Sequence, residues 1–197
     1  SWNFKTREPV ALAVSPDGRK IWAAGHLPAG AADGDFTAAA LTLVEDGKAV
    51  HFPLSNGTQG VRGMAISPDG RYLAVAHVLS RYQVPTTQLD RGWMNTNAVT
   101  VIDTDEPDKP HPVLLDDPDA GAANPWGVSF SEDGGKLFVT HAGTHELSVI
   151  DFPALLERMK REDRSNEPVS ERLGFLHGLR TRIALPLNGP RSEIGRA

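Results

Sequence analysis

Three observations assign this chain to the all-β class. One sequence unit occurs three times: residues 11–26, 63–77 and 127–141 each read as an apolar run, a Ser-x-Asp-Gly turn and a second apolar run closed near a histidine. The apolar residues flanking each turn alternate with period two, which is the strand period. The turn serines Ser15, Ser67 and Ser131 are 52 and 64 residues apart, room for four short strands per unit plus insertions. Tandem units of four antiparallel strands are the blades of a β-propeller. The predicted architecture is a partial β-propeller of three four-stranded antiparallel blades, with a helical insertion in the third. It reads as a segment of a larger ring of about seven blades.

The elements follow in order. Blade one (9–54) takes strands at 9–15, 20–25, 39–45 and 49–54. Blade two (61–115) takes 61–67, 71–78, 98–103 and 111–115. Blade three (125–187) takes 125–130, 136–140, 146–151 and 182–187. Each Ser-x-Asp-Gly places glycine where a positive φ is needed and an aspartate able to bond the local backbone. The excess length lies in insertions at 29–37, 79–96 and 152–179. Asp151 and Pro153 form a helix start, and Leu155, Leu156 and Met159 recur at helical spacing. A second short helix is expected within 169–179, with Phe175, Leu176 and Leu179 as packing residues.

Composition narrows the function classes. The 197 residues carry a formal net charge of −5 and no cysteine. Disulfides, zinc ribbons, thiol catalysis and covalent c-type haem attachment are excluded within these residues. The one basic cluster, 158–164, is interleaved with Glu157, Glu162 and Asp163, the pattern of a solvated helix face, so nucleic acid is not an expected partner. No apolar run approaches the ~20 residues of a membrane span. The opening residues do not read as a signal peptide.

Phe138-Val-Thr-His141 followed by Glu146-Leu-Ser-Val-Ile-Asp151, and Ala98-Val-Thr-Val-Ile-Asp103, resemble the YVTN-type propeller repeat. Residues 83–95 and 121–127 are similar to secreted bacterial propellers fused to di-haem cytochrome c domains of the peroxidase type. The resemblance implies a periplasmic or extracellular protein. It also implies a cytochrome c-type domain as partner, with any haem on that domain rather than in this chain. The remaining propeller blades are a second expected partner, and open blade faces predict self-association.

Strand alternation sorts the loops. The Ser-x-Asp-Gly turns join the first and second strands of each blade and mark one face. Loops joining second to third strands, and fourth strands to the next blade, share the opposite face. That second face gathers His26, His77, Arg81, Arg91, Trp93, Asn95, Asn97, Asn124, Trp126, His141 and His145. Long loops on a rigid scaffold commonly carry function. His77 and His141 stand where the parent repeat has asparagine. They either bond neighbouring loop carbonyls, as asparagine would, or converge on a metal such as copper at the propeller axis. Arg81 and Arg91 suit carboxylates or phosphates, or pair internally with Asp90. Trp93 and Trp126 offer an aromatic wall, with core packing the stronger reading for Trp126. Asp116, Asp117 and Asp119 form an oxygen-rich run without EF-hand spacing. Asp17, Asp69 and Asp133 recur in every blade and therefore serve the turn.

The leading expectation is a non-catalytic propeller scaffold whose His/Arg/Trp face binds a partner such as a cytochrome c domain. The alternative is part of a metal-dependent, copper- or haem-linked oxidoreductase with histidines at the axis. A propeller hydrolase would need an acid/base pair or a carboxylate-held calcium at the axis, and the innermost strands supply neither.

Overall fold

The structure, a computed structural model, describes residues 6–31, 33–83, 85, 93–162 and 172–191. Twelve strands form three separate four-stranded sheets among these residues, each antiparallel and in simple sequence order. Blade one is β1 (Arg7–Val14), β2 (Ile21–Leu27), β3 (Ala40–Glu45) and β4 (Lys48–Pro53). Blade two is β5 (Thr58–Ile66), β6 (Tyr72–Ser80), β7 (Asn95–Asp103) and β8 (His111–Leu114). Blade three is β9 (Pro125–Phe130), β10 (Lys136–His141), β11 (Glu146–Asp151) and β12 (Arg180–Ala184). Helix α1 (Phe152–Glu162) follows β11 directly. β1, β5 and β9 are the innermost strands, and each blade packs on the next through them.

The repeated turn has one geometry in all three blades. In blade two the Ser67 amide donates to the Tyr72 carbonyl (2.7 Å) and the Gly70 amide to the Ser67 carbonyl (2.8 Å). Asp69 accepts from the Ser67 hydroxyl and from the Arg71 amide. The Tyr72 amide donates back to Ser67 Oγ at 2.8 Å. Ser15/Asp17 and Ser131/Asp133 repeat the pattern. Gly18, Gly70 and Gly134 have φ of 73°, 76° and 70°, the left-handed region that side chains with a Cβ avoid. These hydrogen bonds hold the Asp17 and Asp133 carboxyls below the usual carboxylate range.

A second repeated device lies seven residues before each turn serine. Glu8, Gly60 and Asn124 all have positive φ, at 51°, 60° and 54°. Each marks a shift of register where the innermost strand joins its neighbour. Such a bulge re-aims the residues beside it.

Two apolar layers fill the spaces between sheets. Trp22, Leu41 and Leu43 of blade one meet Met64, Leu73, Val75 and Ile102 of blade two. On the other side of blade two, Ala74, Ala76, Val99 and Val101 meet Val128, Leu137, Val139 and Ile150 of blade three. The period-two pattern thus serves both faces of the middle blade. α1 caps the second layer: Asp151 accepts the Ala154 amide at 3.1 Å as its N-cap, and Phe152 and Leu155 are buried in the layer.

Three expectations change. Residues 172–179 form successive turns rather than a second helix, although Leu176 is buried and Phe175 and Leu179 pack on the core as expected. The hairpin of β6 and β7 runs further than the sequence suggests, with Leu79 opposite Thr96 and Ser80 opposite Asn95. The insertion therefore shrinks to 81–94. The last strand begins at Arg180 and ends at Ala184.

Candidate functional site

The second face is built by loops that bond to one another. The Gly57 amide donates to the Thr37 carbonyl and the Ser80 amide to the Gly57 carbonyl, both at 2.8 Å. Asn56 accepts the Thr37 amide (2.9 Å) and donates to the Asp35 carbonyl (3.0 Å). Tyr82 donates to Asn56 Oδ1 at 2.9 Å, and Gln83 donates to the Asp35 carbonyl at 2.6 Å. The loops after β2 and β6 are therefore knitted into one rim by Asn56. Phe36, 54% exposed, and Trp93, 41% exposed, stand on these two loops. The Arg81 amide closes the second loop on the Met94 carbonyl at 2.8 Å. Arg91 lies outside the described residues.

Nearer the axis, Trp126 is half-buried at the start of β9 and belongs to no core cluster among the described residues. The guanidinium of Arg62 sits 4.5 Å from its ring centroid and that of Arg191 at 5.0 Å. This replaces the core role favoured for Trp126: the bulge at Asn124 turns the ring out of the apolar layer and into a cation–π stack. Arg62 stands at the same repeat position in β5. His26 Nδ1 donates to the Val61 carbonyl, next to Arg62, at 2.8 Å.

His77 and His141 do something else. Both are fully buried. His77 Nδ1 faces the Val78 carbonyl at 3.1 Å and Nε2 the Thr100 hydroxyl at 2.6 Å. His141 Nδ1 faces the Ala122 carbonyl at 3.0 Å and Nε2 the Ser148 hydroxyl at 2.7 Å. A carbonyl only accepts, so Nδ1 carries the proton in each ring and the hydroxyl donates to Nε2. Burial pushes both imidazoles down to about 4, so both are neutral at physiological pH. The two rings belong to different sheets, and each has both nitrogens committed. This is the carbonyl-bonding arrangement, and it leaves neither ring a lone pair for a metal. Among the described residues no group of three or more His, Asp or Glu side chains could hold a metal ion. Copper chemistry at the axis is not supported by these donors.

Blade one has Gly25 in place of the strand histidine, and its backbone shows why. A Cβ on Gly25 would lie 2.9 Å from the Arg7 carbonyl oxygen, so β1 and β2 approach too closely for a side chain. The equivalent hydroxyl, Thr42, is still paired with an imidazole, that of His51 directly opposite on β4, at 2.9 Å.

The remaining polar candidates hold the crossing from blade two to blade three. Asp116 is buried and accepts from the Asn97 amide (2.7 Å), Asn97 Nδ2 (2.9 Å) and the Ala122 amide (2.7 Å). Asn97 Oδ1 accepts the Asn124 amide at 3.1 Å. Arg180 donates to Asp117 at 2.5 Å and to the Leu115 carbonyl. Arg182 bridges Asp117 and Glu146 and reaches the Gly121 carbonyl at 2.6 Å. Asp116 and Asp117 are thus occupied by amides and guanidinium groups rather than arranged as a calcium loop. His145, at φ 58°, accepts the Gly189 amide on Nδ1 at 2.9 Å and anchors the segment after β12 to the same face. Phe36, Asn56, Tyr82, Arg62 and Arg191 had no signal in the sequence beyond residue type.

No family model matches the chain. The chain is similar to the β subunit of hydrazine synthase from Kuenenia stuttgartiensis. The two are 27% identical over 152 residues, which is 75% of this chain and 37% of that protein. A solved structure of hydrazine synthase from the same organism superposes on 94% of this chain with a TM-score of 0.79 and 23% identity. The fold is shared, and this chain spans 51% of the solved chain. The structure of a putative 6-phosphogluconolactonase from Bacteroides fragilis reaches a TM-score of only 0.45.

Proposed function

We propose that this chain is a non-catalytic, propeller-type component of a multi-subunit assembly in the periplasm or outside the cell, and that its second face docks a partner protein. A cytochrome c-type domain is the partner proposed, with any haem carried by that domain. The rim knitted by Asn56 carries the reading: it fixes two loops from different blades and leaves Phe36 and Trp93 exposed on them. Exposed aromatics on a rigid support lose little entropy on binding and make strong anchors. The likeness to a named enzyme subunit supports an assembly, and the committed nitrogens of His77 and His141 favour scaffold over metal catalysis.

The test is binding of a c-type cytochrome to the immobilised chain by surface plasmon resonance. Phe36→Ala with Trp93→Ala should weaken binding about tenfold or more, the scale of losing an aromatic anchor, and leave the melting temperature unchanged. Absence of binding, or an unchanged affinity in the double variant, overturns the reading.

A further inference from the structure

Gly189-Pro190-Arg191 copies a feature of the three blades. Glu8-Pro9-Val10, Gly60-Val61-Arg62 and Asn124-Pro125-Trp126 each set a left-handed residue two positions before the head of an innermost strand. Gly189 has the same conformation, with φ of 61° against 51°, 60° and 54°. The Leu185 amide donates to the His145 carbonyl at 2.8 Å and the Gly189 amide to His145 Nδ1 at 2.9 Å. These bonds draw the segment after β12 back across the second face, and Arg191 comes to rest on Trp126. Arg191 thus stands beside Trp126 as Trp126 stands beside Arg62. Val10, Arg62, Trp126 and Arg191 form one row at the second-face end of the innermost strands.

That row is positive in a chain whose formal net charge is −5. The guanidinium groups of Arg62 and Arg191 lie 4.5 and 5.0 Å from the centroid of one indole. Like charges gathered on a single ring repel, and the negative π face offsets only part of that repulsion. A guanidinium stacked on an aromatic ring keeps its N–H edge for hydrogen bonding. Both side chains are exposed, and among the described residues neither donates a hydrogen bond or joins an ion pair. Arg71, Arg180 and Arg182 differ, because each engages a carboxylate of Asp103, Asp117 or Glu146. Blade packing does not require charge at this position, since Val10 fills it in blade one. The Ser-x-Asp-Gly residues recur in every blade because they serve the blade. Arg62 and Arg191 do not recur, and their place is explained by what they face.

We propose that this end of the innermost strands binds a small dianion, a dicarboxylate or a phosphate. The N–H edges of Arg62 and Arg191 hold the ligand, and Trp126 fixes both guanidinium groups. Two cations from different repeats on one ring match two negative charges on one ligand, whereas a single carboxylate side chain brings only one. A guanidinium fork takes the oxygens of carboxylate or phosphate in pairs. Stacking orders both forks beforehand and so lowers the entropy lost on binding. The site shares the second face with the rim and uses none of the rim residues, so it stands whether or not the rim docks a protein.

Arginine Nε–Hε resonances of the isotope-labelled full chain test this. Succinate and inorganic phosphate are titrated separately, each against sodium chloride at equal ionic strength. The resonances of Arg62 and Arg191 and the Trp126 indole N–H should shift saturably with at least one anion, and the anion that acts names the class. The expected dissociation constant is on the order of a millimolar or tighter. Arg62→Gln and Arg191→Gln should each weaken binding about tenfold or more. Arg62→Lys, which keeps the charge and loses the fork, should weaken it too. Arg19→Gln, on a turn of the opposite face, should leave it unchanged, and backbone amide spectra verify that each variant is folded. Shifts no larger than those with chloride overturn the proposal. So does an unimpaired Arg62→Lys, and so does an equal loss in Arg19→Gln, the mark of diffuse screening. If cytochrome binding weakens in Arg62→Gln while neither anion moves the resonances, a partner's carboxylate takes the arginines and the free ligand is ruled out.

Discussion

His77 and His141 show how one residue changes meaning between sequence and structure. Their positions invite a metal centre, because imidazoles from separate blades can converge at an axis. The structure turns each ring sideways onto a hydroxyl two residues along the neighbouring strand, Thr100 beyond Ala98 and Ser148 beyond Glu146. That diagonal pairing depends on strand register, which the repeat does not print. The energetic consequence is a pH dependence. Unfolded, each histidine takes up a proton near its ordinary value of about 6.5; folded, burial delays that to about 4. Between these values the unfolded chain holds more protons, so stability is full above 6.5 and drains as the pH falls toward 4. Each ring contributes up to about 3 kcal/mol across that window. Urea midpoints should therefore fall steeply between pH 6.5 and 4.5, and more gently in His77→Asn, which restores the residue of the parent repeat. An equal slope in the variant would show that His77 is not one of the groups responsible.

The turns and bulges illustrate the element scale from opposite sides. The Ser-x-Asp-Gly turn was legible because its chemistry is local: serine, aspartate and glycine are all needed within four residues to make its hydrogen bonds. The bulge at Glu8, Gly60 and Asn124 was not, because three unrelated residue types take the same left-handed conformation. Missing it favoured the core for Trp126, because that residue stands beside an innermost strand, whereas the register shift turns it onto Arg62 and Arg191. The strands themselves were placed within a few residues, and the helix start was marked by its Asp151 cap. The turn also carries a graded prediction. Gly70→Ala forces a Cβ into the left-handed region and against Pro16 at 3.0 Å. Gly18→Ala meets the same backbone strain with no neighbour in reach. Thermal melts should rank Gly70→Ala below Gly18→Ala, with both on the order of 1 kcal/mol or more below the parent. The reverse order would remove the turn-on-turn contact from the account of how blades are spaced.

At the scale of the whole molecule, the three blades are chemically alike yet differently covered. Blade two lies between two apolar layers, and Leu73, Ala74, Val75 and Ala76 are fully buried on alternating sides of β6. Among the described residues nothing covers the outer side of blade one, where Leu12 and Ile21 are exposed. Among the described residues no sheet packs on the Phe138 side of blade three, whose inner side is reinforced by α1, Leu176 and the Arg180/Arg182 ties to Asp117. Local stability follows the number of buried apolar contacts a segment must lose to open. Amide hydrogen exchange on the dilute chain should therefore be slowest in β6 and β7, intermediate in β10 and β11, and fastest in β1 and β2. Uniform protection across the three blades at low concentration would mean that the sheets unfold as one unit despite unequal cover.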